Sequence, residues 1–355
     1  MSKFFSAKYA SLTPYVPGEQ PKDAQYVKLN TNESPFPPPQ SVVDAAKGEA
    51  GKLQLYSDPE SALLTRKMAE TLGVKPTQVL MTNGSDEGLN FAFMAFCDES
   101  HPIVFPDISY GFYSVFAKLN GVPYKTIPLK ADFSVDYRDY LHVNANIVIA
   151  NPNAPTGLAL SCAEVEEILK ANPDHVVIID EAYVDFGGES CVPLIEKYEN
   201  LLVTQTFSKS RSLAGARLGM AIGNEKLIAD LNTIKYSTNP YNVNRMTAAA
   251  GYAALCEKEW FEDCVKTIQE NRAWTTAQLR GLGFEVLDSK TNFVFAKSKE
   301  ISGEELYKAL KMKGVLVRHF NSERIKEYVR ITVGTAEQMQ ILLEKTEEII
   351  KEKRL

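Results

Sequence analysis

A chain of 355 residues with formal net charge −6 is long enough for more than one hydrophobic core, and its acidic balance offers no basic stripe for nucleic acid. No apolar run approaches a membrane span. Five cysteines (Cys97, Cys162, Cys191, Cys256, Cys264) and four histidines show neither disulfide nor metal-ligand spacing, so a cytoplasmic protein with reduced thiols and no bound metal is expected.

Residues 1–40 read as an arm, because Pro14, Pro17, Pro21 and the cluster Pro35, Pro37, Pro38 and Pro39 exclude regular helix. Residues 41–240 then alternate short apolar runs with helix-length segments. The runs Val79–Thr82, Ile103–Phe105, Tyr124–Leu129, Ile147–Ala150, Val176–Asp180, Leu201–Thr206 and Gly219–Ile222 predict seven strands in a mostly parallel α/β sheet. Asp58-Pro59 predicts a helix start, and Ser161-Cys162-Ala163-Glu164 a capping box.

From about residue 241 the pattern changes to a smaller α+β domain. A long helical region runs from Arg245 to Leu282. Strands are expected at Phe284–Leu287, Asn292–Ala296, Val315–Phe320 and Val329–Val333, with a helix after the capping box at Ser302. A last helix opens at Thr335 and carries Met339, Leu342, Leu343, Thr346 and Ile350 on one face.

Three motifs carry chemistry. Lys209 follows the apolar run Leu201–Thr206 amid small hydroxylated neighbours, in Thr206-Phe207-Ser208-Lys209-Ser210-Arg211-Ser212-Leu213-Ala214-Gly215-Ala216-Arg217. Small neighbours leave room for something bulky, and Ser208 with Arg217 could hold an anion. A nucleophilic lysine beside an anion site is what a Schiff base to pyridoxal phosphate requires. Asp180 ends the β-branched run Val176–Ile179, at the edge where open α/β sheets place ligands. An acid there would keep a pyridine nitrogen protonated, and Tyr183 could bond the phenolic oxygen. In Val79-Leu80-Met81-Thr82-Asn83-Gly84-Ser85-Asp86, a strand turns into a helix whose first N–H groups could cradle phosphate.

With these motifs the chain resembles the fold-type-I, pyridoxal-phosphate-dependent aminotransferases of class II, and within them the histidinol-phosphate aminotransferases. The segment Thr206 to Gly215 matches the lysine signature of that class position by position. The resemblance runs from Leu12-Thr13-Pro14-Tyr15 and Leu29-Asn30-Thr31-Asn32-Glu33-Ser34-Pro35 to Arg318 and Arg330, almost the whole chain.

The resemblance implies a large domain with a seven-stranded, mostly parallel sheet, a smaller C-terminal α+β domain, and a homodimer. It implies that Lys209 is catalytic and carries pyridoxal phosphate. Asp180 would pair the ring nitrogen, Tyr183 the phenolic oxygen, and Tyr110 would stack on the ring. Ser85, Asp86, Ser208 and Arg217 would hold the phosphate, with Tyr56 reaching it from the neighbouring subunit. Tyr15, Asn32, Arg318 and Arg330 would bind substrate. Relatives usually carry Asn where this chain has Ala154, in Asn151-Pro152-Asn153-Ala154-Pro155-Thr156-Gly157, and Asn153 is the nearest substitute by sequence as a cofactor ligand. The motifs grip the cofactor and not the substrate. An aromatic-amino-acid aminotransferase and a phospho-amino-acid decarboxylase are therefore alternatives on the same fold.

Overall fold

The computed structural model describes residues 2–10, 12–15, 17–21 and 25–354. Among the described residues of the arm, β1 (Val27–Lys28) is the one strand. The large domain then runs α1 (Gln40–Ala50), α2 (Ala62–Leu72), β2 (Val79–Thr82), α3 (Ser85–Phe96), β3 (Ile103–Pro106), α4 (Phe112–Asn120), β4 (Tyr124–Ile127), β5 (Asn146–Ala150), α5 (Cys162–Ala171), β6 (Val177–Asp180), β7 (Leu201–Thr206), β8 (Gly219–Gly223), α6 (Glu225–Thr238) and α7 (Arg245–Cys256). The rest comprises α8 (Lys258–Gly281), β9 (Glu285–Val286), β10 (Phe293–Lys297), α9 (Gly303–Met312), β11 (Val315–Leu316), β12 (Arg318–His319), β13 (Tyr328–Thr332) and α10 (Ala336–Arg354).

All seven expected strands form one sheet in the order β2-β8-β7-β6-β5-β3-β4. Only β8 runs antiparallel to its neighbours. The β-branched runs read as strands because they are buried on both faces: Ile147, Ile149, Val177 and Ile179 enter one core, while Val148, Ile178 and Leu202 enter the other. The strands β9, β10, β12 and β13 make a separate antiparallel sheet, covered by a third core that includes Leu342 and Leu343 of α10.

The capping boxes at Ser161 and Ser302 form as read. Asp58-Pro59 does not start α2. The Asp58 carboxylate instead accepts from the Glu60 and Ala62 N–H groups, and the helix begins at Ala62. The long helical region breaks at Glu257 into α7 and α8. Val243, Ala250, Ala254 and Leu255 lie in the large domain's core, so the packing boundary falls at this break and not at residue 241. The arm also crosses over. β1 pairs in parallel with β11, and Leu29 is buried in the small domain's core.

Candidate active site

The carboxyl ends of β6 and β7 and the start of α3 meet at one edge of the large sheet. A cleft of about 480 Å³ opens there, lined by Ser85, Asp86, Tyr110, Asp180, Tyr183, Ser208, Lys209 and Arg217. Eight of the expected site residues are thus brought together from segments far apart in the chain.

Asp180 closes the floor. It is buried, accepting from the Tyr113 hydroxyl at 2.9 Å and the Thr204 hydroxyl at 3.2 Å. Burial pushes its carboxyl up to about 6, against the pull of these donors. Among the described residues no cation pairs with it. A buried acid of this kind suits a cationic partner that arrives with a ligand. Its neighbour Glu181 points to the other side of β6, held by Ser190 and Gln205, and burial takes it up to about 7.

Lys209 reaches the same space from the loop after β7. Its Nζ donates to the Thr31 carbonyl at 3.4 Å and lies 5.8 Å over the Tyr183 ring.

The far end is an anion cup. The first turn of α3 has no side-chain cap, and Ser85 and Asp86 of that turn line the cleft. Gly84 turns into the helix at φ +77, and a Cβ there would sit 2.6 Å from the Arg217 guanidinium. Gly219 lets α3 approach β8: a Cβ would come within 2.4 Å of the Ser85 nitrogen. Arg217 donates to Asp86 at 3.1 Å and to Ser208 Oγ at 3.5 Å, and Tyr110 donates to the same Asp86 carboxylate at 2.7 Å. Asp86 therefore braces Arg217 and Tyr110 with its side chain. A phosphate at one end, an aldehyde near Lys209 and a protonated ring nitrogen on Asp180 fit these donors and this acceptor.

Beyond the residues that line the cleft, the small domain brings Arg330 near Tyr183, with Arg318 beside it. Arg318 of β12 and Arg330 of β13 are register partners, so both project from one face of the sheet. Each guanidinium lies 5.6 Å over the Phe320 ring. Arg330 donates to the Asn30 carbonyl at 3.1 Å, its Nε is buried without a partner among the described residues, and burial lowers its pKa. Two like charges directly opposite repel, and an anion between them removes the penalty. Tyr15 packs on Phe112 at the rim, close enough to act on the Arg330 charge. Asn32 is buried and donates to the Tyr183 hydroxyl at 2.9 Å.

Asn153 and Tyr56 do not line this cleft, and for Tyr56 the expected site is a neighbouring subunit's. The Asn153 amide is spent on the segment after β3 and on its own turn: it accepts from Ser109 at 2.8 Å and donates to Ile108 and Thr156. Asn153 lines a different cavity, while Ala154 presents its methyl to the cleft. This removes Asn153 as the substitute for the missing amide. Tyr56 is 79% exposed and stacks on Tyr241 at 4.5 Å, away from its own chain's cleft. Sequence reasoning missed Tyr113 and Thr204, which hold Asp180, and gave no role to Thr31 and Glu33, which line the cleft. Thr31 and Glu33 stood inside a quoted motif. Tyr113 had no signal beyond the aromatic run after Ser109.

Residues 24–345 match the family Aminotransferase class I and II. The chain is 50% identical over 353 residues to a histidinol-phosphate aminotransferase of Brachyspira hyodysenteriae, covering 99% of this chain and 100% of that one. It is 48% identical over 345 residues to that of Pseudomonas syringae pv. syringae, covering 97% and 99%. Among solved structures, histidinol-phosphate aminotransferase of Sinorhizobium meliloti, in complex with pyridoxal-5'-phosphate, superposes with TM-score 0.89 at 24% identity, over 99% of each chain. That likeness bears on the fold.

The buried acid makes a stability prediction. Its raised pKa means that stability is fully present below the ordinary carboxylate range and is lost as pH rises through about 6. Asn at 180 stays neutral throughout. Stripped of cofactor, Asp180→Asn should therefore resist urea better than wild type at pH 8, by on the order of 2 kcal/mol, and equally at pH 4. Parallel pH profiles for the two proteins would refute an uncompensated Asp180.

Proposed function

The chain belongs to the class I and II aminotransferases, and within that family we propose that it moves an amino group between L-glutamate and histidinol phosphate. The keto partners are 2-oxoglutarate and imidazole acetol phosphate, and the reaction is a step of histidine biosynthesis. The observation that carries this reading is the cross-strand pair Arg318 and Arg330 with Tyr15 at its rim, a donor set richer than one carboxylate needs. The names of relatives at 45–50% identity over nearly the full chain support it.

Pyridoxal phosphate is the cofactor that the cleft fits. When bound, it supplies a carbonyl for the incoming amine and a ring that accepts the electron pair released at Cα. Its phosphate would fall to Ser85, the α3 N–H groups, Ser208 and Arg217. Asp180 would hold a proton at the ring nitrogen, a charge pair that burial strengthens. Tyr183 would donate to the phenolic oxygen, and Tyr110 would cover the ring. Lys209 would hold the carbonyl end and would act as the general base toward the substrate's Cα. Arg330 orients the carboxylate of glutamate or, with Arg318 and Tyr15, the larger charge of a phosphate.

The same reading makes the enzyme a cytoplasmic homodimer. Among the described residues no helix is long and apolar enough to cross a membrane. Tyr56 stands in an exposed apolar belt with Leu53, Leu55 and Leu63, each at least 58% exposed. A second copy seated on this belt buries it and brings Tyr56 to the other cleft's phosphate.

Borohydride reduction should fix pyridoxal phosphate on the peptide containing Lys209. Lys209→Ala should still bind the cofactor but lose transamination by several orders of magnitude. A label on any other peptide refutes the assignment. In a half-reaction screen by absorbance, histidinol phosphate and glutamate should both convert the cofactor. Arg318→Ala should slow histidinol phosphate more than glutamate, by about 1.5–3 kcal/mol in kcat/KM. Faster reaction with phenylalanine or tyrosine points to the aromatic rival, and release of carbon dioxide to the decarboxylase. Tyr56→Phe should weaken cofactor retention by about 1 kcal/mol in equilibrium dialysis, and sedimentation should show a dimer; an active monomer contradicts the shared site.

A further inference from the structure

Tyr183 and Ala154 both line the cleft, and Ala154 has no side-chain donor to offer there. The Asn153 amide is occupied by Ser109, Ile108 and Thr156. An amide reaches Tyr183 from the arm. Asn32 Nδ2 donates to Tyr183 Oη at 2.9 Å, a bond between residues 151 positions apart.

Nothing about Asn32 is loose. It is 1% exposed and sits at φ 56, the left-handed region that Asn tolerates better than most residues. Its N–H donates to Thr332 Oγ1 at 2.9 Å, and its carbonyl accepts from Asn292 Nδ2 at 2.9 Å. Its Oδ1 accepts from the Thr332 hydroxyl at 3.1 Å. With Oδ1 turned to Thr332, the Nδ2 end of the amide faces Tyr183, whose hydroxyl accepts there and keeps its own proton to give elsewhere. The Tyr183 ring is fixed as well, edge-on to Phe293 at 5.2 Å.

We infer that Asn32 is a positioning residue: its amide fills a lone pair of the Tyr183 hydroxyl and commits that hydroxyl's proton to the cofactor's ring oxygen. A hydroxyl that accepts one bond also becomes a stronger donor in the next. The arm thereby supports a hydrogen bond that the turn at Ala154 does not make. The inference rests on pyridoxal phosphate being the group held in the cleft. Other charged or titratable groups around Tyr183 are Lys209 over its ring, the Arg330 guanidinium, Tyr113 and Asp180.

The test is a spectrophotometric pH titration of the holoenzyme's visible band, with cofactor affinity read separately by fluorescence. A donor to the ring oxygen favours the more anionic titration state, so losing it moves the midpoint up. Asn32→Ala should raise the midpoint by ~0.5–1 unit. Tyr183→Phe should raise it too, and the double variant should add little to Tyr183→Phe alone. Ala154→Asn placed on Asn32→Ala should bring the midpoint back down. Should Asn32→Ala fail to fold, Asn32→Asp keeps the shape and replaces the donor by an acceptor. It should raise the midpoint in wild type more than in the Tyr183→Phe background. An unmoved midpoint in Asn32→Ala, or fully additive effects of positions 32 and 183, overturns the inference. A wild type with no Lys209-linked visible band instead overturns the cofactor reading on which it stands.

Discussion

The cleft is organised by a carboxylate that the fold buries with no cation of its own. Asp180 ends a strand whose other residues are wholly apolar, and its two hydroxyl donors do not offset the loss of water around it. A chain selected for stability alone would place Asn or Val there. In the proposed reading the ligand brings the missing charge. Tyr113 and Thr204 aim the carboxylate, the α3 N-terminus and Arg217 would receive the opposite end of the same ligand, and Lys209 lines the cleft with them. On the small domain, Arg318 and Arg330 stand opposite each other on β12 and β13.

The arm does more than cover the cleft. Between Asn30 and Ser34 it meets Arg330 through the Asn30 carbonyl, Lys209 through the Thr31 carbonyl, Tyr183 through the Asn32 amide and Ser212 through Ser34. Its strand β1 is paired to the small domain. The Lys28–Glu33 ion pair and the Thr31 hydroxyl bond to Glu33 stiffen the same stretch. Five consecutive residues of the arm thus tie the small domain to Lys209, Tyr183 and Arg330 at once.

Much of this was legible in the sequence for physical reasons. Buried parallel strands need unbroken β-branched runs, so all seven strands of the large sheet announced themselves. A lysine after such a run, with an acid closing another, can be read because sheet ends are where ligands bind. Side-chain direction within an irregular turn is another matter. Asn153 and Ala154 are adjacent, and only the folded turn decides which one faces the cleft. The home of α7 was hidden similarly, since an apolar helix face does not say which core it enters. Asp58 signalled a cap correctly but capped the turn before the helix. Tyr113 and Asn32 could not be assigned their partners at all, since each bond joins segments that only the tertiary fold brings together.

The pairing of the arm has a consequence for how the protein is made. Asn32 is bonded to Thr332, 300 residues later, and β1 has no partner until β11 exists. The seven-stranded sheet is complete at Gly223. During synthesis at roughly 5–20 residues per second, a nascent chain can thus assemble the large core while its first thirty residues still lack their place. The cleft gains its third wall only when the last strand leaves the ribosome. Docking of the arm is therefore tied to the end of translation, and a prematurely terminated chain keeps the lysine, the acid and the arm but not the strands β11 and β13 that hold the arm in place.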